Sequence, residues 1–153
     1  MELSLRNAAH NQQVMTLSLL LAKVTQITIL LNNRPRALAK FCSTLGRAQV
    51  NILALFAPEV RGKGKVRVWV DRPDEAKDVL KLAKIQFSEE EVIAMELRNR
   101  AGSFGEVAEK LGRAGINIKY AYSATAEGSV KAVVIMAVSD LVKALRILRR
   151  NIA

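Results

Sequence analysis

The sequence predicts an α+β fold made of two copies of one βαββαβ module in tandem. Each copy is expected to form a ferredoxin-like sandwich, with an antiparallel sheet and both helices on one face. Two observations predict it. First, the chain matches itself without a gap at an offset of 66 residues. Asn33-Arg34 falls on Asn99-Arg100, Leu45-Gly46-Arg47-Ala48 on Leu111-Gly112-Arg113-Ala114, and Asn51-Ile52 on Asn117-Ile118. Second, hydrophobic periodicity switches between two and about 3.6 in the same order in both copies.

In the first copy, the β-branched run Thr25 to Leu31 reads as a strand. Asn32-Asn33-Arg34-Pro35 is a turn, with Pro35 suited to a first helical turn. Ala37, Leu38, Phe41, Cys42 and Leu45 recur at helical spacing and give one apolar face. Val50 to Phe56 is a second strand. Arg61-Gly62-Lys63-Gly64 is a hairpin turn, because glycine supplies the positive φ such turns need. Val66, Val68 and Val70 alternate as a third strand. Pro73-Asp74-Glu75 opens a second helix, with acids at its positive end; Ala76, Val79, Leu80 and Ala83 form its inner face. Ile85 to Phe87 is a short last strand.

The second copy repeats the order. Val92 to Leu97 is strand. Ser103 to Arg113 is helix, with Phe104, Val107, Ala108 and Leu111 inward. Ile116 to Tyr122 is strand, Glu127-Gly128 a turn, and Val130 to Val138 strand. Ser139-Asp140 caps a helix to about Arg149. Only Asn151-Ile152-Ala153 remains for a final strand, so this copy lacks one or borrows a partner. The expected partition is a leader with a possible strand extension at 1–23, a first module at 24–88 and a second at 89–153. Leu17, Leu19 and Leu21 alternate, which favours strand extension over a targeting signal, and Val14 to Ala22 is too short to span a bilayer.

The formal charge of +10 is uneven. Residues 24–88 hold 12 Lys/Arg against 5 Asp/Glu, residues 89–153 hold 10 against 8, and the leader adds +1. The basic first half reads as a solvated face, or as an attractor for anions in general. Cys42 is the lone cysteine, so no disulfide framework or thiolate metal cluster is expected, and a cytoplasmic location fits. No catalytic residue, metal site or cofactor is expected. His10, in the leader, is the single histidine; no phosphate-binding loop spacing occurs; Glu89-Glu90-Glu91 reads as a solvated linker. Cys42 lies on an apolar helix face and reads as a buried small hydrophobe. A base-stacking RNA module would need aromatics on its central strands. Seven aromatics in the chain, with Trp69 alone on a third strand, do not provide two platforms.

A family resemblance enters through two stretches. Asn99-Arg100-Ala101-Gly102-Ser103-Phe104, followed by Leu111-Gly112-Arg113-Ala114-Gly115-Ile116-Asn117-Ile118, resembles the signature of ACT regulatory modules. Asn33-Arg34-Pro35-Arg36-Ala37-Leu38 and Leu45 to Ile52 resemble it in the first copy, and Tyr120-Ala121-Tyr122 looks like the stand-alone tandem members. The resemblance covers about residues 24–149. It implies a non-catalytic regulatory protein that binds an amino acid or similar small carboxylate at a module interface.

The implied ligand-binding residues are Asn99, Arg100, Gly102, Ser103, Phe104, Asn117 and Ile118, with Asn33, Arg36 and Asn51 in the first copy. A helix N-terminus presents backbone N–H groups to a carboxylate, a glycine lets it approach, and an asparagine offers both donor and acceptor. Each residue has a structural alternative. Gly102 and Pro35 shape turns, Asn51 and Asn117 satisfy nearby backbone groups, and Gly115 ends a helix in the left-handed conformation. The first copy departs from the signature with Arg36 and Gln49 where glycines are wanted, and the second has Ala101 for proline. The second copy is therefore the expected binding half. The alternative role is a regulatory or scaffold subunit docking a metabolic enzyme through its sheet surface. Nucleic-acid binding, prompted by the basic first half, comes third and is not the expected role. A homo-oligomer is expected, and no membrane partner.

Overall fold

The computed structural model describes residues 20–150. The leader, His10, Leu17, Leu19 and Asn151-Ile152-Ala153 lie outside the described residues. The elements follow in the order β1 (Leu21–Asn32), α1 (Ala37–Arg47), β2 (Ile52–Phe56), β3 (Glu59–Val60), β4 (Lys63–Val70), α2 (Pro73–Leu82), β5 (Ser88–Arg98), α3 (Ser103–Arg113), β6 (Ile118–Ala124), β7 (Lys131–Val138) and α4 (Leu141–Arg149). Two compact units result. One is residues 23–92; the other is residues 93–150 together with 20–22. The division falls inside β1 and inside β5. Among the described residues, no helix is long and apolar enough to cross a membrane.

In the first unit β4 lies between β2 and β1, antiparallel to both. Ile27 faces Val68 and Ile29 faces Val66 across the β1–β4 ladder. Alternation therefore puts Ile27, Ile29, Val66, Val68 and Val70 on one side. Phe41 and Leu45 of α1 and Ala76 and Leu80 of α2 close over them in one buried core. Residues 88–92 of β5 take the place beside β1, where Lys23 meets Glu91 at 2.8 Å.

Three expectations need correction here, and one element is new. Pro35 is not in the helix: α1 starts at Ala37, and Arg36 precedes it at φ 69°. Ile85 to Phe87 forms no strand. Ile85 and Phe87 instead lay their side chains on the core as the chain leaves α2. Glu89-Glu90-Glu91 is not a linker but part of β5. Three successive acids hide a strand in the sequence; in the fold Lys77 reaches Glu89 at 3.0 Å and Lys23 reaches Glu91. Finally, β3 was not foreseen. It pairs with β4 through the two-residue turn Arg61-Gly62, whose φ angles of 51° and 75° match the twist of a hairpin.

The second unit repeats the plan, with β7 between β5 and β6. Ile93, Met95, Leu97, Val134, Met136 and Val138 face Val107 and Leu111 of α3 and Ala144, Leu145 and Leu148 of α4. Residues 20–22 hold the fourth-strand place beside β5. The Glu96 N–H donates to the Leu20 carbonyl at 2.8 Å, and Leu21 packs on the core. The second copy thus borrows its outer strand from the chain ahead of the first. Both units are ferredoxin-like α+β sandwiches.

Local sequence sets the helix ends. Asp140 caps α4, its Oδ1 accepting from Lys143 N–H at 2.9 Å. Asp140→Ala is expected to lower stability by about 1 kcal/mol, read as a lower urea midpoint with an unchanged slope. Helices α1, α2 and α3 all stop in one way. A residue at positive φ (Gln49 at 59°, Lys84 at 55°, Gly115 at 73°) follows the helix. The next N–H, of Val50, Ile85 or Ile116, then bonds back to the carbonyl of Leu45, Leu80 or Leu111. This is the Schellman arrangement, and each closing residue is apolar and packs inward.

Candidate functional site

The β-to-α turn has the same backbone in both copies. Arg34 N–H bonds to Asn32 O at 2.9 Å, as Arg100 N–H does to Arg98 O. Ala37 N–H bonds to Arg34 O at 3.3 Å, as Ser103 N–H does to Arg100 O. The residue before each helix must take positive φ, 69° at Arg36 and 86° at Gly102. No side chain caps either helix. A Cβ added at Gly102 would meet nothing within 4 Å. Glycine there answers a backbone requirement and leaves the helix start open.

Beside the second turn lies a cleft of about 220 Å³ between β5 and α3. Its floor is apolar, from Met95, Leu97, Val107 and Leu148, all buried. Its rim carries both charge signs, with Arg100 and Lys110 against Glu106 and Ser103 beside them; Glu96 and Arg98 also line it, but strand alternation turns their side chains to the other face of the sheet. Arg100 Nη2 donates to both carboxylate oxygens of Glu106, at 2.7 and 2.8 Å. Lys131 Nζ meets Glu96 Oε2 at 3.1 Å. The cleft is smaller than the usual drug-sized pocket of roughly 300–1,000 Å³. It suits a short ligand carrying both charges and a modest apolar group.

The Leu20 N–H, at 3.1 Å from Oε2, holds the Glu96 carboxyl below its ordinary value; burial opposes this and Lys131 assists it. A carboxylate depressed in the folded state adds stability above its unfolded value and loses it as pH falls through the folded one. Glu96→Gln should therefore lower the urea midpoint at pH 7. The gap from wild type should shrink once pH falls well below the unfolded value of 4.5.

The structure places the sequence-derived candidates unevenly. Arg100 and Ser103 line the cleft, and Gly102 shapes its turn. Phe104 was expected inward but is 39% exposed in the first turn of α3, where Val107 and Leu111 carry the buried face of the helix. Asn99 and Asn33 act as turn clamps: Asn99 Nδ2 donates to Ser129 O at 2.7 Å and Asn33 Nδ2 to Glu59 Oε2 at 2.9 Å. Ile118 packs against the core. Asn117 lies beyond the far end of α3 from Gly102. The helix has 11 residues, which puts about 16 Å between its ends, so one small ligand cannot touch both within a unit. The main chain of Asn117 is engaged with Ser139, and that of Asn51 with Asp71. Arg36 faces a different, wholly basic surface.

Sequence reasoning missed Glu106 and Lys110. Glu106 and Lys110 were within reach, since Ser103, Glu106 and Lys110 follow helical spacing from a turn already singled out. Among the described residues no cluster of His, Cys, Asp or Glu could hold a metal ion. Burial pushes the Cys42 thiol up despite a backbone hydrogen bond that lowers it, which disfavours the reactive thiolate.

Comparison with known proteins adds four findings. A family model described as an ACT domain pair matches residues 22–151. A solved protein of Bacteroides thetaiotaomicron is 25% identical, with a TM-score of 0.80, covering 86% of this chain and 90% of its own. The ligand-free regulatory subunit of aspartate kinase from Thermus thermophilus is 18% identical, with a TM-score of 0.63, covering 86% and 95%. The corresponding subunit from Thermus flavus is 18% identical, with a TM-score of 0.58 and the same coverage. No curated protein matches the chain.

Proposed function

The chain belongs to the ACT domain pair family, and from that premise we propose that it is a non-catalytic regulatory protein binding an amino acid, or a similarly small carboxylate, in the cleft beside Gly102. The observation that carries this reading is the cleft itself: an apolar floor with two cations and a carboxylate on one rim. Arg100 and Lys110 suit the ligand carboxylate. Glu106 suits its ammonium group. The open start of α3 adds backbone donors. Arg100 and Glu106 pair with each other at the cleft rim, and both side chains are more than half exposed. A zwitterion can replace each partner of that pair with one of its own ends. Family membership supports regulation over catalysis, as does likeness in fold to regulatory subunits.

Thermal shift and calorimetry against the twenty amino acids test it. One or a few should bind, raising stability by about 2.7 kcal/mol at a hundred times Kd. Arg100→Ala and Glu106→Gln should each weaken that binding at least about tenfold, the scale of one lost charge-assisted bond. Binding left unchanged by both substitutions would place the ligand elsewhere. No binding by the wild type would leave partner docking as the role.

A further inference from the structure

The two copies differ in charge on the exposed side of the first helix, and each serves as a control for the other. In the second copy, Arg100 pairs with Glu106 at 2.7 Å and Arg113 with Glu109 at 2.8 Å. At the 66-residue offset the corresponding residues of the first copy are Arg34 and Lys40, and Arg47 and Ser43. Both arginines are kept, and both acids are gone. A lysine stands for one and a serine for the other. Arg36, in place of Gly102, adds a further cation. Among the described residues none of Arg34, Arg36, Lys40 and Arg47 has an ion-pair partner.

Positions 40, 43 and 47 recur at helical spacing and share one face of α1, and Arg36 stands immediately ahead of its first residue. Over about 16 Å of helix axis they line a shallow groove of about 480 Å³ with Arg34, and its only other residues are Pro35, Ala37 and Ala39. No acid and no aromatic or large apolar side chain lines it. That composition selects the partner. A protein interface needs apolar or aromatic anchors at its centre, and the groove has none. A single phosphate would not span it. A run of phosphates would.

We propose that this face of α1 binds the phosphodiester backbone of nucleic acid, without reading sequence. Contact is electrostatic and made by Arg34, Arg36, Lys40 and Arg47. The surface is separate from the ligand cleft and belongs to the other unit. It also differs from the base-stacking mode that the scarcity of aromatics argues against.

Fluorescence anisotropy with a labelled random-sequence DNA duplex, titrated with NaCl, tests the proposal on the full chain. Log affinity should fall against log salt with a slope of about −3 to −4, as four neutralised phosphates require. Lys40→Glu/Ser43→Glu, which restores the acids of the second copy, should cut affinity at least about tenfold and flatten the slope. Arg36→Gly relieves a positive-φ side chain, so it should fold at least as well as wild type, and it should lower the slope by about one. Lys81→Glu/Lys119→Glu is the control. It removes four units of charge against three, yet leaves this face intact and should change affinity far less. Equal losses in the control and the Lys40→Glu/Ser43→Glu variant would reduce the effect to net charge and overturn the proposal. Unchanged binding in Lys40→Glu/Ser43→Glu would overturn it too. So would capture by phosphatidylserine vesicles or polyglutamate with no binding to the duplex.

Discussion

Phe41→Ala is expected to cost about 3–5 kcal/mol, whereas Phe104→Ala should cost less than about 1 kcal/mol. Both residues are phenylalanines on the first helix of their module. Phe41 is 1% exposed in the core under α1 and α2, so truncation removes its transfer energy and leaves a cavity among Ile27, Leu45, Val68 and Leu80. Phe104 is 39% exposed, so water already meets much of the ring and the neighbours have little to collapse around. A loss on the Phe41 scale is a large share of the roughly 5–15 kcal/mol that holds a domain together. Urea unfolding followed by circular dichroism checks the pair: a large fall in midpoint for Phe41→Ala, and a small one for Phe104→Ala. Similar falls would mean that Phe104 is buried in solution by something it does not touch here.

Gly115→Val is expected to destabilise by about 2 kcal/mol, and Gln49→Gly to stabilise by about 1 kcal/mol. The two positions do one job, ending a helix at φ 73° and 59° respectively. A side chain with a Cβ is disfavoured there by roughly 1–2 kcal/mol, and a β-branched one most of all. Added atoms at Gly115 would meet nothing within 4 Å, so the cost is backbone strain and not collision. Lys84→Gly, at φ 55°, should follow Gln49→Gly in sign. Greater backbone freedom in the unfolded chain offsets part of each gain, which is why the expected stabilisation is the smaller effect. Thermal midpoints of the three variants in one buffer decide it; a destabilised Gln49→Gly would show that the glutamine side chain contributes more than its strain costs.

Much of the fold was legible because its signals are local. The 66-residue repeat, the alternation of Val66, Val68 and Val70, and Pro73 followed by two acids each point to one structure whatever surrounds them. Ser103 to Arg113 was bounded by the turn before it and by Gly115 after it. Glu89-Glu90-Glu91 failed for the opposite reason. Its strand neighbour is β1, and its acids meet Lys23 and Lys77, all of which lie elsewhere in the chain. Ile85 to Phe87 looked like a strand by composition, yet its apolar residues serve as a buttress to the core.

The candidate site was legible only in part. The signature led to Arg100, Gly102 and Ser103, all at one turn. It also led to Asn117, which a full helix length separates from them. Neither the pairing of Arg100 with Glu106 nor the cleft floor can be read from a motif, because both depend on how α3 and α4 pack on the sheet. The same holds for the loss of pairing at Arg34 and Arg47. The substitutions are visible in the sequence, but their meaning requires knowing which helix face is exposed.

By itself, then, the sequence determined that this is a duplicated α+β protein, where most of its strands and helices fall, and that the copies have diverged at Arg36 and Gln49. Hydrophobic period, turn chemistry and self-similarity act over a few residues and need no partner. Only the tertiary structure decided that residues 20–22 complete the second unit, that the acids of β5 belong to a strand, and which charges stand alone. Strand pairing, burial and ion pairing depend on residues far apart in the chain, and no local pattern records them.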